Sequence, residues 1–348
     1  MMPETIEELL EQAYAKGASD LHITVGSKPI FRINGELIPQ GETILTNEDT
    51  ENMAKAIIKD ADWDRFIDIG ELDFSYMIEN VSRFRVNTYH QRQKIGIVAR
   101  VIPSQIPSIE QLGMPLILKD LAKKPQGLIL VTGPTGSGKS TTLAAMIDYI
   151  NQSSAKHVIT LEDPIEYEHQ HLKSIVNQRE VGIDTGSFAN GLRAALRQDP
   201  DIILVGEMRD YETISTAITA AETGHLVFAT LHTSSAAQTI DRIIDVFPPF
   251  QQPQIRIQLA SVLEGIISQR LLRRADGSGR IAATEILINL PSVANLIRNE
   301  KVDQITNILQ TSRAAGMHTL EMSVKELLDS GILTFGDASV YLSNAGEY

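Results

Sequence analysis

The segment Gly133-Pro-Thr-Gly-Ser-Gly-Lys-Ser140 constrains this chain more than any other stretch of its sequence. It matches the pattern G-x-x-x-x-G-K-[ST] and lies between a buried-strand pattern, LILVT, and a helix pattern, TTLAAMIDYI. Glycines at these spacings let backbone N–H groups turn inward around phosphates, and the helix N-terminus adds a favourable dipole. The sequence therefore predicts a phosphate loop, which comprises Gly133, Pro134, Thr135, Gly136, Ser137, Gly138, Lys139, Ser140 and Thr141.

The residue types of this loop also predict its ligand. Lys139 is placed to reach the outer phosphates of a nucleoside triphosphate, and the Ser140 hydroxyl is placed to join the coordination shell of Mg²⁺. The flanking strand and helix make a chance match to the pattern rare. We therefore expect ATP and Mg²⁺ as ligands.

The whole chain has the composition of an ordinary folded protein. Its 348 residues suffice for two domains, and its lack of cysteine excludes disulfides and thiolate zinc sites. No apolar run reaches the roughly 18 residues of a membrane helix, and the acidic start is unlike a signal peptide. The formal charge of −13 argues against nucleic acid as a main partner. A cytoplasmic protein without a membrane span is the expectation.

The pattern of apolar residues predicts a small N-terminal domain, a linker and a larger domain. Residues 1–102 combine helix signals with strand-like runs and a hairpin signal at Asn34-Gly35, which is typical of an α+β domain with an antiparallel sheet. Residues 103–115 contain three prolines and no periodicity, as in a linker. In residues 116–348, apolar runs alternate with helices, which predicts a largely parallel sheet covered by helices.

Two parts of this pattern predict individual elements in more detail. One helix is expected around residues 47–60, followed directly by strands. Beyond residue 249 the pattern is mostly helical, with one strand-like run at 280–288 and helices near 292–299, 302–312 and 319–329. The C-terminal part of the larger domain is therefore expected to be helical.

Two glutamates follow apolar runs of the predicted parallel sheet. HVITL leads into Glu162, and DIILV leads into Gly206 and Glu207, where many phosphate-loop ATPases have a magnesium-binding aspartate. Ligands of such sheets collect beyond the C-terminal ends of the strands. Hydrolysis requires one group to activate water and another to hold the hydrated metal. Our hypothesis is that Glu162 is the base and Glu207 holds Mg²⁺ through water; a helix cap or a solvated turn is the alternative for either residue alone.

His225 and His232 lie at the two ends of another strand-like run, HLVFATLH. Their separation of seven positions places them on opposite faces of an ideal strand, and only His232 lies at the end that faces the ligand. His232 is therefore predicted to sense the γ-phosphate, with a structural hydrogen bond as the alternative. Neither histidine has further ligands at metal-binding spacing.

Several arginines lie near these elements and are candidates to neutralise charge in the transition state of phosphoryl transfer. Period-two alternation places Arg83 and Arg85 on one face of a strand, and helical spacing places Arg193 and Arg197 on one face of a helix. Surface solvation is the alternative for each, and the sequence does not decide whether they act within one chain or across a subunit boundary. The candidates are Arg83, Arg85, Arg100, Arg193, Arg197 and Arg209.

Four motifs together resemble the ATPases of the type IV pilus and type II/IV secretion superfamily over nearly the whole chain. They are the phosphate loop, TLEDPIEY (160–167), DIILVGEMRD (201–210) and TGHLVFATLHT (223–233); the last three are similar to the family's Asp box, Walker B variant and His box. In this superfamily the Walker B strand ordinarily ends in Gly-Glu, so Glu207 occupies a family-typical position. Glu162 of the Asp box would supply the second carboxylate.

The resemblance implies a RecA-like phosphate-loop ATPase core with a smaller PAS-like N-terminal domain. It implies that arginines of that domain, with Arg83, Arg85 and Arg100 as candidates, reach the nucleotide. It also implies a hexameric ring with sites near subunit boundaries. The implied partners are the inner-membrane platform protein of the pilus machine and, indirectly, pilin, so that the protein would lie at the inner face of that membrane.

Two features resemble the pilus retraction branch of this superfamily. Assembly and secretion relatives usually carry a four-cysteine zinc insertion after the segment equivalent to QRLLRR (269–274), whereas this chain continues through ADGSGRIAATEIL. The segment SVANLIRN (292–299) is similar to the retraction signature A-I-R-N-L-I-R-E but keeps only its N-L-I-R core. An ordinary amphipathic helix is the alternative there. The implied function is an ATP-hydrolysing motor for pilus retraction and twitching motility.

Other functions are compatible with parts of this pattern. The nearest is an accessory retraction ATPase, or an assembly ATPase that lacks the zinc insertion. A nucleotide-gated adaptor would bind ATP without hydrolysing it, and the two glutamates argue against that. A DNA-translocating motor is disfavoured by the formal charge of −13.

Overall fold

The computed structural model describes residues 4–33, 35–79, 81–102 and 105–342. The chain divides into two compact units, Met1–Gln105 and Ile106–Tyr348. The division falls within the predicted linker 103–115, of which residues 103 and 104 lie outside the described ranges, as does Asn34 of the hairpin signal. Ile109 and Met114 from the same segment are buried in a core of the second unit.

The first unit consists of an antiparallel six-stranded sheet and three helices. The elements are α1 (Ile6–Ala15), β1 (Asp20–Ile23), β2 (Ile30–Ile33), β3 (Glu36–Pro39), α2 (Asn47–Ile57), α3 (Asp60–Ile69), β4 (Glu71–Ile78), β5 (Ser82–Gln91) and β6 (Lys94–Ile102). The strand order is β3-β2-β1-β6-β5-β4. Thr5 and Thr46 start α1 and α2 with complete capping boxes. The predicted α+β class with an antiparallel sheet is confirmed.

Helix α3 is absent from the sequence-based prediction, which placed strands directly after one helix near 47–60. The structure instead ends α2 at Ile57 and adds α3, which terminates at Gly70 in the left-handed conformation (φ 89°). Phe66 is the one residue of α3 that is fully buried, and its ring meets Trp63 edge-on. The sequence-based prediction therefore missed one helix of this unit.

The second unit is a seven-stranded sheet with helices on both faces. Its strands are β7 (Gly127–Thr132), β8 (His157–Glu162), β9 (Ile175–Glu180), β10 (Ile202–Val205), β11 (Leu226–Leu231), β12 (Leu263–Arg273) and β13 (Arg280–Ile288). Its helices are α4 (Ile117–Ala122), α5 (Lys139–Ser153), α6 (Phe188–Ala195), α7 (Tyr211–Glu222), α8 (Ala236–Asp245), α9 (Gln252–Val262), α10 (Pro291–Arg298), α11 (Ile305–Thr311), α12 (Leu320–Asp329) and α13 (Phe335–Ala338).

The strand order of this sheet is β13-β12-β7-β11-β10-β8-β9. All neighbours pair in parallel except β13, which is antiparallel to β12. Alternate residues of β7 enter two different cores: Leu128 and Leu130 pack with α7, α8 and α9, whereas Ile129 and Val131 pack with α4 and α5. This confirms the predicted parallel, helix-covered sheet.

Strand β12 contradicts the prediction of a helical segment between residue 249 and residue 280. Helix α9 ends at Val262, and β12 begins at the next residue, Leu263, whose backbone is extended (φ −62°, ψ 128°). No loop separates the helix from the strand. β12 then pairs with β7 on one side and β13 on the other, so it lies inside the sheet. A short connection closed by Arg274 N–H to Gly279 O (3.0 Å) joins it to β13.

The helices predicted near 292–299, 302–312 and 319–329 are confirmed as α10, α11 and α12. Across the described ranges, no helix combines the length and the apolar character that crossing a membrane requires.

Candidate active site

The phosphate loop joins β7 to α5, as the sequence predicts. All six residues of β7 are buried, so the loop begins at the end of an interior strand. Gly138 adopts the left-handed conformation (φ 88°) immediately before the first turn of α5. Since first-turn N–H groups have no partners within their helix, this arrangement offers them to an anion.

Strand β12 braces the loop from behind. Gln269 on β12 is almost fully buried; its Nε2 donates to Ser137 O (2.6 Å), and its Oε1 accepts from Thr142 Oγ1 (3.0 Å). Gly133 fits because it has no side chain: a Cβ there would lie 2.5 Å from Gln269 O and from Ser137 Oγ. Close packing against β12 therefore requires glycine at position 133, in addition to any requirement of phosphate binding.

Lys139 is folded against its own loop. Its Nζ donates to the carbonyl oxygens of Gly133 (2.9 Å) and Pro134 (3.1 Å). Burial lowers the pKa of Lys139, while the charges of Glu207 and Glu166 act in the opposite direction. The side chain is thus a cation with donors directed at the centre of the loop.

Glu162 is the last residue of β8 and lies beside the loop. Its Oε1 accepts hydrogen bonds from Thr160 Oγ1 (2.6 Å) and Gln178 Nε2 (3.0 Å). Burial raises the pKa of Glu162, and these hydrogen bonds partly oppose that effect. A half-buried carboxyl group with a raised pKa suits proton transfer near neutral pH.

Glu207 follows the neighbouring strand β10. Its Oε1 lies 2.8 Å from His232 Nε2 at the end of β11, and Arg209 Nε donates to the same oxygen. His225, at the other end of β11, instead places Nδ1 2.9 Å from Ala220 O. His232 therefore lies at the site, and His225 lies away from it.

A cleft of about 470 Å³ brings these groups together. Gly133, Pro134 and Ser137 of the predicted loop support its wall through the contacts given above. The side chains and backbone that line the cleft include Thr135, Gly136, Gly138, Lys139, Ser140, Thr141, Glu162, Asp163, Glu166, Tyr167, His169, Phe188, Glu207, Arg209, His232, Leu271 and Arg280.

Two glutamines of the site carry no sequence motif. Gln269 lies on the strand that the sequence-based prediction omits, and Gln178 lies on the edge strand β9 beside Glu162. The segment after β8 also enters the cleft: Tyr167 OH lies 3.0 Å from Thr141 Oγ1, and burial lowers the pKa of His169 to about 4. An apolar pattern reports burial and does not reveal which polar side chains meet across strands.

Of the three candidate arginines in the second unit, Arg209 lines the cleft, and Arg193 and Arg197 do not. Arg193 pairs with Glu212 and donates to Asn190 Oδ1 (3.1 Å). Helix α6 ends at Ala195, so Arg197 lies beyond it, and the prediction that Arg193 and Arg197 share a helix face is wrong.

The three candidate arginines of the first unit lie on one face of its sheet. Arg85 is opposite Arg100 in the β5–β6 ladder, and Arg83 lies two residues before Arg85. Arg100 Nε donates to Asp20 Oδ1 (3.0 Å), and Arg83 Nε donates to Ser75 Oγ. Arg85 is exposed. The three arginines therefore share one face of the sheet, on which Asp20 pairs with Arg100.

No cluster of three or more histidine, aspartate or glutamate side chains that could hold a metal ion occurs in the part of the chain that the structure describes. The cleft does contain the Ser140 hydroxyl and the Glu207 carboxylate. Mg²⁺ binds oxygen ligands and usually retains waters and substrate phosphates in its shell. These two oxygen donors fit a magnesium ion that arrives with a nucleotide.

The sheet order, the phosphate loop and the acidic residues at adjacent strand ends define a RecA-like phosphate-loop ATPase. The family model described as "Type II/IV secretion system protein" matches residues 1–338, and the chain belongs to this family.

Several proteins are similar to this chain over nearly its whole length. The type IV pilus retraction ATPase PilT of Pseudomonas aeruginosa is 49% identical over 94% of this chain and 95% of its own length. The type IV pilus ATPase PilU of the same organism is 41% identical over 98% of this chain and 89% of its own. A crystal structure of the pilus retraction motor PilT with bound ADP has a TM-score of 0.92 and 48% identity, with 99% of each chain covered.

Proposed function

We propose that this chain is an ATP-hydrolysing motor that powers retraction of type IV pili. The observation that carries the proposal is that one cleft unites the phosphate loop with Glu162, Glu207 and His232. The similarity to PilT along nearly the full length of both chains supports the pilus-retraction part. An adaptor that only binds nucleotide has no need of two carboxylates placed around the phosphate site.

The loop and the first turn of α5 bind the phosphates of ATP. Lys139 neutralises charge on the outer phosphates, and Ser140 and Glu207, the latter through water, hold Mg²⁺. When bound, the ion would supply charge neutralisation at the β- and γ-phosphates. His232 senses the γ-phosphate, a role that its contact with Glu207 (2.8 Å) supports.

Glu162 acts as the base for hydrolysis. Its carboxylate accepts a proton from water as the water oxygen bonds to the γ-phosphorus, and the bond from that phosphorus to the bridging oxygen of ADP breaks. The parallel strands β8 and β10 place Glu162 and Glu207 at the same edge of the sheet, so the two carboxylates divide these tasks without competing for one position.

The working assembly is a homo-hexamer, in which Arg83, Arg85 and Arg100 approach the nucleotide. The position of these three arginines on one face of their sheet supports this role. The ring acts on the platform protein of the pilus machine at the inner face of the inner membrane, and through it on pilin. Nucleic acid is not a partner, in accordance with the formal charge of −13.

The test combines chemistry with motility. Replacing Lys139 by Ala removes the cation at the outer phosphates, so we expect phosphate release by the pure protein to fall at least a hundredfold while the far-UV circular dichroism stays unchanged. Lys173→Ala on the loop after β8 is the matched control. A Lys139→Ala chain that hydrolyses ATP at the normal rate contradicts the proposal.

An accessory retraction ATPase is the second candidate, because the helix 292–299 keeps only the core of the retraction signature. In the structure Val293 and Ile297 of α10 are buried, and Asn295 and Arg298 are exposed. A strain in which the gene is deleted separates the roles. Cells that keep surface pili and cannot retract them support the motor, normal retraction supports the accessory role, and cells without pili indicate an assembly ATPase.

A further inference from the structure

Gln178 lies on β9, the edge strand of the second sheet, directly opposite Thr160 of β8. Thr160 and Glu162 share one face of β8 because side chains alternate along a strand, and the register places Gln178 on the same face. Gln178 Nε2 donates to Glu162 Oε1 (3.0 Å), and Thr160 Oγ1 donates to the same oxygen (2.6 Å). One oxygen of the carboxylate is therefore held between two donors.

The same amide also fixes the segment that follows β8. Gln178 Nε2 donates to Tyr167 O (2.8 Å), and Gln178 Oε1 accepts from His169 N–H (2.7 Å). Both N–H groups of the amide are thus engaged, together with its oxygen. Tyr167 in turn meets Thr141 at the start of α5 (3.0 Å between hydroxyls). A single side chain connects Glu162, the loop after β8 and the wall of the phosphate site.

We infer that Gln178 is a positioning residue for hydrolysis, whose amide orients the Glu162 carboxylate towards the attacking water and holds residues 167–169 in place. The inference rests on the proposed function, in which Glu162 is the base. A glutamate side chain has three rotatable bonds, and misplacing a catalytic group by about 1 Å can cost roughly a hundredfold in rate. Two hydrogen bonds to one oxygen restrict that freedom.

A purely structural role for Gln178 makes different predictions. If Gln178 only supported the loop, its loss would weaken folding and nucleotide binding together and leave the pH dependence of turnover unchanged. If it positions Glu162, its loss lowers kcat with little change in the KM for ATP. Removing a hydrogen bond to the charged form also raises the pKa of a carboxyl group, so the acid limb of the kcat profile moves to higher pH.

Other titratable groups face the same cleft and are common to all the variants compared below. Glu166 is the charged neighbour that acts on Glu162 most directly, and its negative charge raises the pKa of Glu162. The further groups are Lys139 on α5, Asp163, Tyr167 and His169 after β8, Glu207 and Arg209 after β10, His232 after β11 and Arg280 on β13.

The main variant is Gln178→Leu, measured in the full chain by steady-state phosphate release from pH 5 to 9. We expect kcat to fall about ten- to a hundredfold, KM to stay within about threefold and the acid limb to move upward. Gln152→Leu is the matched control, since Gln152 also donates to a carboxylate (Asp148, 2.6 Å), near the far end of α5. It should leave both kcat and the profile unchanged.

Gln178→Glu is a second variant that retains an acceptor for the His169 N–H while it removes the donor to Glu162. It should lower kcat as Gln178→Leu does, and the added negative charge should move the acid limb further upward. The contact with His169 N–H is preserved and the one with Tyr167 O is lost, so this variant keeps part of the loop support and is measured even if Gln178→Leu folds poorly, as judged by thermal melting.

A double-mutant cycle with Glu162→Gln separates the inference from the proposed function. Because Gln178 acts through Glu162, Gln178→Leu should cause no further loss of kcat in the Glu162→Gln background. Wild-type hydrolysis by Glu162→Gln would overturn the proposed base and, with it, the inference. A collapse of hydrolysis in Glu162→Gln together with normal kcat and pH profile in both Gln178 variants would overturn the inference alone.

Discussion

The chemistry of Glu162 depends on a balance between burial and hydrogen bonding at one side chain. Burial is the larger effect and raises its pKa above the ordinary glutamate value of 4.5, while Thr160 and Gln178 stabilise the charged form. A base must be deprotonated to accept a proton, so its activity is lost as pH falls through its pKa. Residue-scale measurements can therefore test the site directly.

The first residue-scale prediction concerns pH. With ATP saturating, kcat should fall on the acid side through an apparent pKa above 4.5, because the carboxyl group of Glu162 protonates at higher pH than an exposed glutamate. Phosphate release between pH 4.5 and 8 measures this limb, with circular dichroism at each pH as the check on folding. A limb centred at or below pH 4.5 would show that a different group acts as the base.

The second residue-scale prediction concerns His232. Replacing it by Ala removes the partner 2.8 Å from Glu207 Oε1, so we expect kcat to fall about tenfold or more while ADP affinity stays near normal. His225→Ala is the matched control, because His225 lies at the opposite end of the same strand and contacts Ala220 O. Equal losses in the two variants would argue for a general effect of the strand.

At the scale of elements, adjacent parallel strands explain why the functional residues meet. β7, β11, β10 and β8 are consecutive neighbours in the sheet, so their C-terminal ends bring the phosphate loop, His232, Glu207 and Glu162 to one edge. β12 contributes differently, since its residue Gln269 donates a hydrogen bond to Ser137 O of the loop. The site therefore depends on a strand that contains no recognised motif.

Gln269→Leu tests this contribution of β12. The change leaves Ser137 O and Thr142 Oγ1 without their buried partner, which should lower the free energy of unfolding by about 1 to 3 kcal/mol and weaken ADP binding through a looser loop. Urea denaturation and titration with a fluorescent ADP analogue measure the two effects. Gln258→Leu is the control, since Gln258 is a half-buried glutamine on α9 that donates to Glu222 (3.0 Å), and ADP affinity equal to that of the control would contradict the bracing role.

At the scale of the whole molecule, the two units have different internal organisation and, in our proposal, complementary roles. The first has an antiparallel sheet that carries Arg83, Arg85 and Arg100 on one face, and the second has a largely parallel sheet whose strand ends form the proposed nucleotide cleft. Within the described residues of the second unit, the lysine and arginine side chains at the cleft are Lys139, Arg209 and Arg280; our proposal adds the candidate arginines of the first unit to them.

Arg100→Ala tests the contribution of the first unit. We expect ATP hydrolysis to fall about tenfold or more at normal far-UV circular dichroism, because a cation that stabilises the transition state is lost. Arg65→Ala is the matched control, since Arg65 is an exposed arginine on α3 of the same unit. Undiminished hydrolysis by Arg100→Ala would remove Arg100 from the proposed active site.

Patterns along the chain predicted most of the fold and the centre of the site. Signals within a few residues predicted three groups of elements, and the structure contains all of them. They are the phosphate loop, the strands that lead into Glu162 and Glu207, and the helices near 292–299, 302–312 and 319–329. Helix α3 was not predicted, and β12 was missed because LEGIISQRLLR has the apolar content of either a helix or a strand.

The sequence by itself determined the local chemistry: a loop whose glycines and lysine suit phosphates, and carboxylates placed at strand ends. Only the tertiary structure decided that residues 263–273 are extended, because β12 gains hydrogen-bonded partners on both sides from β7 and β13, which lie far apart in the chain. The tertiary structure likewise brought Gln178 to Glu162 and Gln269 to Ser137. Such contacts depend on strand register, and register is a property of the assembled sheet.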